Sequence, residues 1–459
     1  MKYFLFLLNI VALSIFAEES LPEKLVIKNP AMFIFVHGTI KPAEFSFSSL
    51  VKIMNDIIDN TLYSLAAKYL RQDPLFYLSQ AMQEEGLKSV DLTLDNTTNT
   101  ARTIALLYNQ QFQALGVNAD SILYYTFGWN GLLSDKKRYQ EAEKFYKELK
   151  EELAILSEKG IYPRITIIGY SHGANVALYL AAVRNNNQDY VNDRFTIEKL
   201  VMLGAPIQKE TDYLVTDDLF KKIYHFYSTE DNVQIADIFS SKQLFSGRLF
   251  TNRKNFKVPE EKLYQVRLRL TKEIKLRHRA YNINAQHEIL AHPLVKLIHK
   301  DPGHAELWNF KWGAYWYRDT CPINPLPVVA FIPTFLHIID QHPDLHYVTV
   351  DYAPTEYGVV VSHKKKGFKE SKAFLSPEVH VQLWDFANLY KPEDYSFETQ
   401  QKQVASALKK AQKDLEILGS YRRPRSKILA NYMKHISQGY FDDTEPKKSL
   451  YNYRIAHLE

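Results

Sequence analysis

One serine of the chain lies in a pattern that is typical of nucleophilic catalysis. The pentapeptide Gly169-Tyr170-Ser171-His172-Gly173 follows a predicted strand and opens a predicted helix, which is the context of a nucleophile elbow. Gly169 and Gly173 leave room for a sharp turn, and the turn holds the Ser171 hydroxyl exposed on a strained backbone. The pattern predicts covalent catalysis by Ser171. The structural alternative is an ordinary strand–turn–helix connection with a surface serine.

The elements that must position this serine alternate along the chain. Short apolar runs bounded by turn residues indicate buried parallel strands, and apolar residues at helical spacing lie between them. This alternation predicts βαβ units and a mostly parallel sheet. The predicted strands are residues 31–36, 121–127, 164–168, 199–203 and 222–227, and the predicted helices are 97–115, 139–156 and 172–183.

Several segments together resemble the α/β-hydrolase superfamily, in particular its lipase- and esterase-like members. The resemblance covers roughly residues 24–308 and is carried by VHGT at 36–39, FGWNG at 127–131, GYSHGANVAL at 169–178 and LGAP at 203–206. It implies an α/β-hydrolase fold, with a mostly parallel central sheet flanked by helices. We expect helical insertions and a C-terminal α+β extension around that core.

The resemblance also implies a chain order of nucleophile, acid and histidine. Asp231 follows the strand at 222–227 and is the expected acid. Its neighbour Glu230 is the alternative acid. The structural alternative for Asp231 is a role in a turn or as a helix cap. His304 is the expected base because the Pro302-Gly303 turn delivers it in a loop. The other candidate bases are His278, His287, His292 and His299.

Acyl transfer also requires two backbone N–H donors aimed at the developing oxyanion. The resemblance assigns one donor to His172, the residue after the nucleophile, and the other to Gly38 or Thr39 in the loop after the first strand. His37 then shapes this loop and is not the base.

The leading prediction is a serine hydrolase that cleaves carboxylic esters through an acyl-enzyme intermediate. The same triad serves amidases, peptidases and thioesterases, and an inactive exported interaction protein could keep this fold. The spacing of His287 and His292 could suggest metal ligands, but no HExxH pattern or carboxylate cluster accompanies it. We expect no metal and no cofactor. The expected partner is an ester or lipid substrate, with association at a membrane surface as an open alternative and the oligomeric state undetermined.

Composition excludes several other classes of protein. The 459 residues carry 57 Lys and Arg against 52 Asp and Glu, and the difference of 57 − 52 = +5 is too small for a dedicated nucleic-acid binder. Hydrophobic residues make up 46% of the chain, which excludes bulk disorder. The single cysteine, Cys321, cannot form an intramolecular disulfide or a thiolate-rich metal site.

The N-terminus predicts export. Residues 1–17 have a basic start, an apolar run and a small residue before acidic ones, as in a secretory signal peptide. The run is shorter than the ~20 residues that span a bilayer, and an uncleaved N-terminal anchor is the alternative. We therefore expect a periplasmic or secreted protein.

Three further parts complete the predicted organisation. A hydrolase domain occupies residues 24–310 and carries a helical insertion at about 45–90. The insertion either forms a lid over an acyl-binding cleft or packs on the outer face of the sheet. Residues 311–459 form a C-terminal extension of unknown role, with strand-like runs at 347–352 and 357–363 and helical patterns at 399–418 and 426–436.

Overall fold

In the computed structural model, eleven strands of the described residues form one mixed, mostly parallel sheet flanked by helices. The described residues are 29–40, 58–73, 76, 79–93, 99–116, 122–234, 246–276, 294–313, 317–353, 358–362, 371–374, 377–391 and 395–417. The proposed signal peptide at 1–17 and the helical pattern at 426–436 lie outside them.

The sheet has a parallel centre and antiparallel edges. Its strands follow the order β11-β10-β9-β7-β6-β5-β4-β1-β3-β2, and β8 also pairs with β7. All five predicted strands are confirmed as β1, β3, β4, β5 and β6, which lie side by side and run parallel. The strands are β1 (Ala31–Val36), β2 (Gly86–Ser89), β3 (Ile122–Gly128), β4 (Arg164–Tyr170), β5 (Ile197–Leu203), β6 (Phe220–Tyr227), β7 (Leu263–Leu276), β8 (Leu294–Lys300), β9 (Tyr347–Ala353), β10 (Gly358–Ser362) and β11 (Ser371–Phe374).

Helices cover both faces of this sheet. The described helices are α1 (Leu62–Arg71), α2 (Thr100–Ala114), α3 (Asp135–Glu158), α4 (His172–Asn186), α5 (His304–Trp308), α6 (Ile332–Asp340), α7 (Pro377–Leu389) and α8 (Phe397–Ile417). The three predicted helices are confirmed as α2, α3 and α4. None of the described helices is long and apolar enough to cross a membrane.

Strand β1 shows why the central strands are unbroken apolar runs. Its odd-numbered residues, such as Phe33, pack in one buried cluster with Tyr108 of α2 and Phe335 of α6. Its even-numbered residues, such as Ile34, pack in a second cluster with Phe145 of α3 and other residues of α3 and α4. Because both faces of the strand are buried, neither side can be polar.

The region after residue 310 continues the same sheet. Strand β9 pairs in parallel with β7, with Val348 opposite Val266 and Val350 opposite Leu268. The antiparallel strands β10 and β11 follow at the edge. The C-terminal region therefore shares one core with the proposed hydrolase domain.

The predicted insertion at about 45–90 contains one helix and one strand among its described residues. Strand β2 pairs antiparallel with β3 at the edge of the sheet. Helix α1 packs against α8 and against Ile40 and Leu132, which lie in the loops after β1 and β3. Both loops leave the carboxyl ends of parallel strands, so α1 lies at that edge of the sheet.

Candidate functional site

Ser171 occupies the sharp turn between β4 and α4. Its backbone angles are φ 52° and ψ −129°, and Asn60 is the other described non-glycine residue with a positive φ. A positive φ in a residue with a side chain costs about 1–3 kcal/mol and persists only where the surroundings enforce it. The Ser171 N–H donates to the carbonyl oxygen of Leu203 at the end of β5, at 2.9 Å.

The two elbow glycines allow the close packing that enforces this turn. A Cβ atom on Gly169 would lie 2.6 Å from the Cα atom of Ala174 in α4. A Cβ atom on Gly173 would lie 2.2 Å from the carbonyl oxygen of His37, in the loop after β1. Both approaches are too close for any side chain, so the beginning of α4 lies directly against β4 and this loop.

His304 and Asp231 form a hydrogen-bonded pair. The His304 Nδ1 atom lies 2.7 Å from the Asp231 Oδ2 atom. The Asp231 side chain is fully buried, and that of His304 is 15% exposed. The second carboxylate oxygen of Asp231 accepts a hydrogen bond from the backbone N–H of Gln234 at 3.1 Å. With Nδ1 donating to Asp231, Nε2 of the neutral ring is left as the acceptor.

The three predicted triad residues converge around the end of β5. Gly204 has a φ of +58°, and a Cβ atom there would lie 2.9 Å from Asp231 Oδ2 and 3.3 Å from His304 Nδ1. The preceding residue, Leu203, holds the backbone of Ser171. The Ser171 hydroxyl itself makes no hydrogen bond within the described part of the chain.

Tyr170 contacts the histidine directly. Its hydroxyl donates to the carbonyl oxygen of His304 at 3.0 Å. Its ring lies 4.8 Å from the imidazole and stacks on Trp308 at 5.3 Å. Tyr170 is not among the predicted site residues, although a large aromatic residue directly before Ser171 is a signal in the sequence.

His37 shapes the loop after β1, as predicted, through its own hydrogen bonds. Its Nδ1 atom donates to the carbonyl oxygen of Gly38 at 2.7 Å, and its Nε2 atom accepts from the backbone N–H of Trp129 at 3.2 Å. Burial and the nearby Arg71 charge lower the pKa of His37 to about 3. His37 is therefore neutral at ordinary pH, and both ring nitrogens are occupied.

Gly38 lies next to Ser171, and Thr39 follows Gly38 in the loop. A Cβ atom on Gly38 would lie 3.1 Å from the Cβ atom of Ser171. In a trans peptide the C=O and N–H bonds point in opposite directions, so the bond from His37 to the Gly38 carbonyl turns the Thr39 N–H away from His37. The Thr39 hydroxyl oxygen is buried and has no hydrogen-bond partner within the described residues.

His172, the other predicted oxyanion donor, is the first residue of α4. Its backbone N–H therefore lies at the positive end of the helix dipole. Its side chain is buried, with Nδ1 3.4 Å from the Asn175 amide nitrogen.

The remaining candidates for the acid and the base lie elsewhere. Glu230 forms an ion pair with Arg318 and not with His304. His299 contacts Thr271 and Asp351, away from the serine. His278, His287 and His292 lie outside the described residues. No group of three or more His, Cys, Asp or Glu side chains that could hold a metal ion occurs among the residues that the structure describes.

Comparisons with known proteins returned no match. No protein-family model, no curated protein and no solved structure is significantly similar to this chain.

Proposed function

We propose that this chain is a serine hydrolase with an α/β-hydrolase fold, and that it cleaves carboxylic esters. Ser171 is the nucleophile, His304 the general base and Asp231 the residue that orients His304. One observation carries the proposal: a buried carboxylate holds a histidine at 2.7 Å beside a strained serine at a strand–helix turn. A surface serine at an ordinary turn would need no such pair.

The fold supports this assignment. Ser171 lies between a central parallel strand and the helix that follows it, as a nucleophile elbow requires. The acid and the histidine follow the nucleophile in the order Ser171, Asp231, His304, which is the order in α/β-hydrolases. The acid follows β6, and the histidine follows β8.

The chemistry follows from the arrangement. His304 Nε2 accepts the proton of Ser171 Oγ as that oxygen attacks the ester carbonyl carbon. Asp231 stabilises the imidazolium that forms. The tetrahedral intermediate collapses, His304 donates the proton to the leaving alcohol, and an acyl-enzyme ester on Ser171 remains. Water then attacks the acyl group by the same route and releases the acid.

Two peptide N–H groups are the proposed oxyanion donors. One belongs to His172 at the beginning of α4 and the other to Gly38 or Thr39. The orientation of the Gly38–Thr39 peptide favours Thr39, because its N–H points away from His37. The Thr39 hydroxyl, buried without a partner within the described residues, can add a third hydrogen bond to the oxyanion.

A fluorophosphonate probe tests the nucleophile. We expect the folded wild-type protein to be labelled covalently and the Ser171→Ala variant to remain unlabelled. Ser157→Ala is the matched control, because Ser157 lies near the end of α3 and its hydroxyl donates only within that helix. It should label as fast as the wild type. A folded wild-type protein that resists the probe would overturn the proposal.

The substrate class needs a separate comparison. Matched ester, thioester and amide substrates with one acyl group, together with p-nitrophenyl esters of increasing chain length, would be assayed with wild-type protein and Ser171→Ala. We expect Ser171-dependent turnover that is fastest on esters. Labelling by the probe together with turnover of amides alone would show that the enzyme is an amidase and not an esterase.

A further inference from the structure

One arginine joins the loop that carries the acid to the loop that carries the histidine. The Arg318 Nε atom donates to Glu306 Oε1 at 2.7 Å, and Nη2 donates to Glu306 Oε2 at 2.5 Å. The same Nη2 atom donates to the carbonyl oxygen of Asp301 at 2.9 Å. Its Nη1 atom pairs with the carboxylate of Glu230.

The partners of Arg318 flank the two catalytic side chains. Glu230 directly precedes Asp231, whereas Asp301 and Glu306 lie on either side of His304. Glu306 also accepts from the backbone N–H of Gly303 at 2.6 Å, so it holds the turn that presents His304.

Charge and burial make this contact difficult to replace. The Glu306 side chain is 1% exposed and that of Arg318 is 19% exposed. Burial lowers the pKa of Arg318, but the carboxylates of Glu306 and Glu230 outweigh it and hold the pKa above its ordinary value. Removal of Arg318 would leave the buried Glu306 carboxylate without the cation that pairs with it in the described part of the chain. A planar guanidinium can bind two carboxylates and a carbonyl at once, whereas an ammonium cannot reproduce this fork.

We infer that Arg318 is the positioning residue of the His304–Asp231 pair. It fixes the distance between the acid loop and the histidine loop, so that His304 Nδ1 stays on Asp231 and Nε2 faces Ser171. The inference rests on the proposed hydrolase function. It concerns a residue that touches neither the substrate nor the reacting atoms.

The first test is Arg318→Gln in the full chain, assayed on the best ester. Displacement of a catalytic group by about 1 Å can cost ~10²-fold in rate, so we expect kcat to fall by about that factor with KM nearly unchanged. Arg318→Lys should recover part of the loss. Millimolar guanidinium chloride should restore kcat in Arg318→Ala, because the ion can occupy the space between Glu306 and Glu230.

Arg184→Gln is the matched control. Arg184 also pairs with two carboxylates, those of Asp217 and Asp218, and its side chain is 11% exposed. It lies near the end of α4, away from the site, so its loss should lower stability without changing kcat and guanidinium should not affect it. A purely structural role for Arg318 would give the same pattern as Arg184.

Glu230→Gln covers the case in which Arg318 variants do not fold. This carboxylate is 39% exposed and its removal leaves Glu306 paired, so the variant should fold and show a lower kcat at constant KM. Wild-type kcat in folded Arg318→Gln overturns the inference. Wild-type kcat in Glu230→Gln overturns it where the Arg318 variants do not fold. In either case Ser171-dependent activity of the wild type leaves the proposed function intact, whereas an inactive wild type overturns both.

Discussion

Asp231 and Glu230 are adjacent carboxylates whose contacts differ completely. Asp231 is buried and holds His304, while Glu230 is partly exposed and holds Arg318. We expect Asp231→Asn to lower kcat by about 10⁴-fold, because the amide stabilises the wrong tautomer of the histidine. The measurement is kcat on the best ester, with circular dichroism to confirm folding.

Glu230→Gln is the isosteric control at the neighbouring position. It should lose far less activity than Asp231→Asn, because the pair of Asp231 and His304 remains. Equal losses in the two variants would contradict the assignment of the acid to Asp231.

Two features of the structure, the backbone conformation and the close approach of Asp231, favour glycine at position 204. Its φ of +58° disfavours any side chain, and a Cβ atom would come within 2.9 Å of the Asp231 carboxylate. Gly160 has a similar φ of +71° but nothing lies within 4 Å of its Cβ position. The two glycines therefore separate backbone strain from the steric effect on the site.

We expect Gly160→Ala to lower the free energy of unfolding by roughly 1 kcal/mol, through strain alone, and to leave kcat unchanged. Gly204→Ala should be less stable than Gly160→Ala and should also lose kcat, because the new methyl group displaces Asp231 from His304. Urea unfolding and ester hydrolysis measure the two effects. Unchanged kcat in Gly204→Ala would show that the pair does not depend on this close approach.

Among the elements, the five central strands could be predicted because both of their faces are buried, and the strand-like runs at 347–352 and 357–363 correspond to β9 and β10. The central strands are unbroken apolar runs because helices cover both sides of the sheet. Strand β2, with the sequence GLKS, lies at an edge and carries no such signal.

The candidate site shows a contrast between local and long-range features. The serine motif is local, whereas Arg318 and Glu230 are separated by 88 residues and meet only through the fold.

Helix α1 supports the loops at the carboxyl edge through Tyr63. The backbone N–H of Leu133 donates to the Tyr63 hydroxyl at 2.8 Å, and that hydroxyl donates to the Gly131 carbonyl at 3.4 Å. The same carbonyl accepts from the N–H of Ile40, next to Thr39, at 2.9 Å. The helix is thereby connected to the proposed oxyanion loop.

Tyr63→Phe should lower the free energy of unfolding by about 1–3 kcal/mol, because a buried N–H loses its acceptor. It should also lower kcat by loosening the loop around Thr39. Tyr69→Phe is the control on the same helix: its hydroxyl donates to Asp414 of α8, so kcat should not change. Thermal unfolding and ester kinetics are the measurements, and a kcat effect in Tyr69→Phe alone would instead implicate the contact between α1 and α8.

At the scale of the whole molecule, the chain builds one sheet from two distant regions. Strands β1 to β6 include the strand that ends directly before Ser171 and the strand that leads to Asp231, and β9 to β11 extend the same sheet beyond β7. Arg318 lies between these regions and pairs with Glu230 beside Asp231 and with Glu306 beside His304. The C-terminal strands and the residues that follow His304, such as Leu307 and Trp308, therefore share one core.

Two fully buried histidines tie the stability of this core to pH. Burial lowers the pKa of His37 to about 3, assisted by the charge of Arg71, and burial lowers that of His225 to about 3 against the effect of its backbone hydrogen bond. Their ordinary value is about 6.5. Between pH 6.5 and 3 the unfolded chain therefore binds up to two more protons than the folded chain at these two positions. The stability that these groups contribute is fully present above pH 6.5 and is lost as the pH falls toward 3.

We expect His225→Asn to reduce the slope of the free energy of unfolding against pH, by up to the equivalent of one bound proton. The variant should be less stable than the wild type at pH 8, because the ring packs edge-on against Phe250 at 5.4 Å. Between pH 6.5 and 4.5 the difference in the free energy of unfolding between the two proteins should shrink. In the wild type the unfolded chain binds a proton at His225 that the folded core excludes, whereas asparagine does not titrate. Urea unfolding of both proteins at pH 8, 6, 5 and 4.5 measures this difference. Subtracting one curve of unfolding free energy against pH from the other cancels the contribution of the carboxylates that titrate in both proteins. A difference that stays constant with pH would mean that His225 takes up its proton in the folded core, which its complete burial opposes.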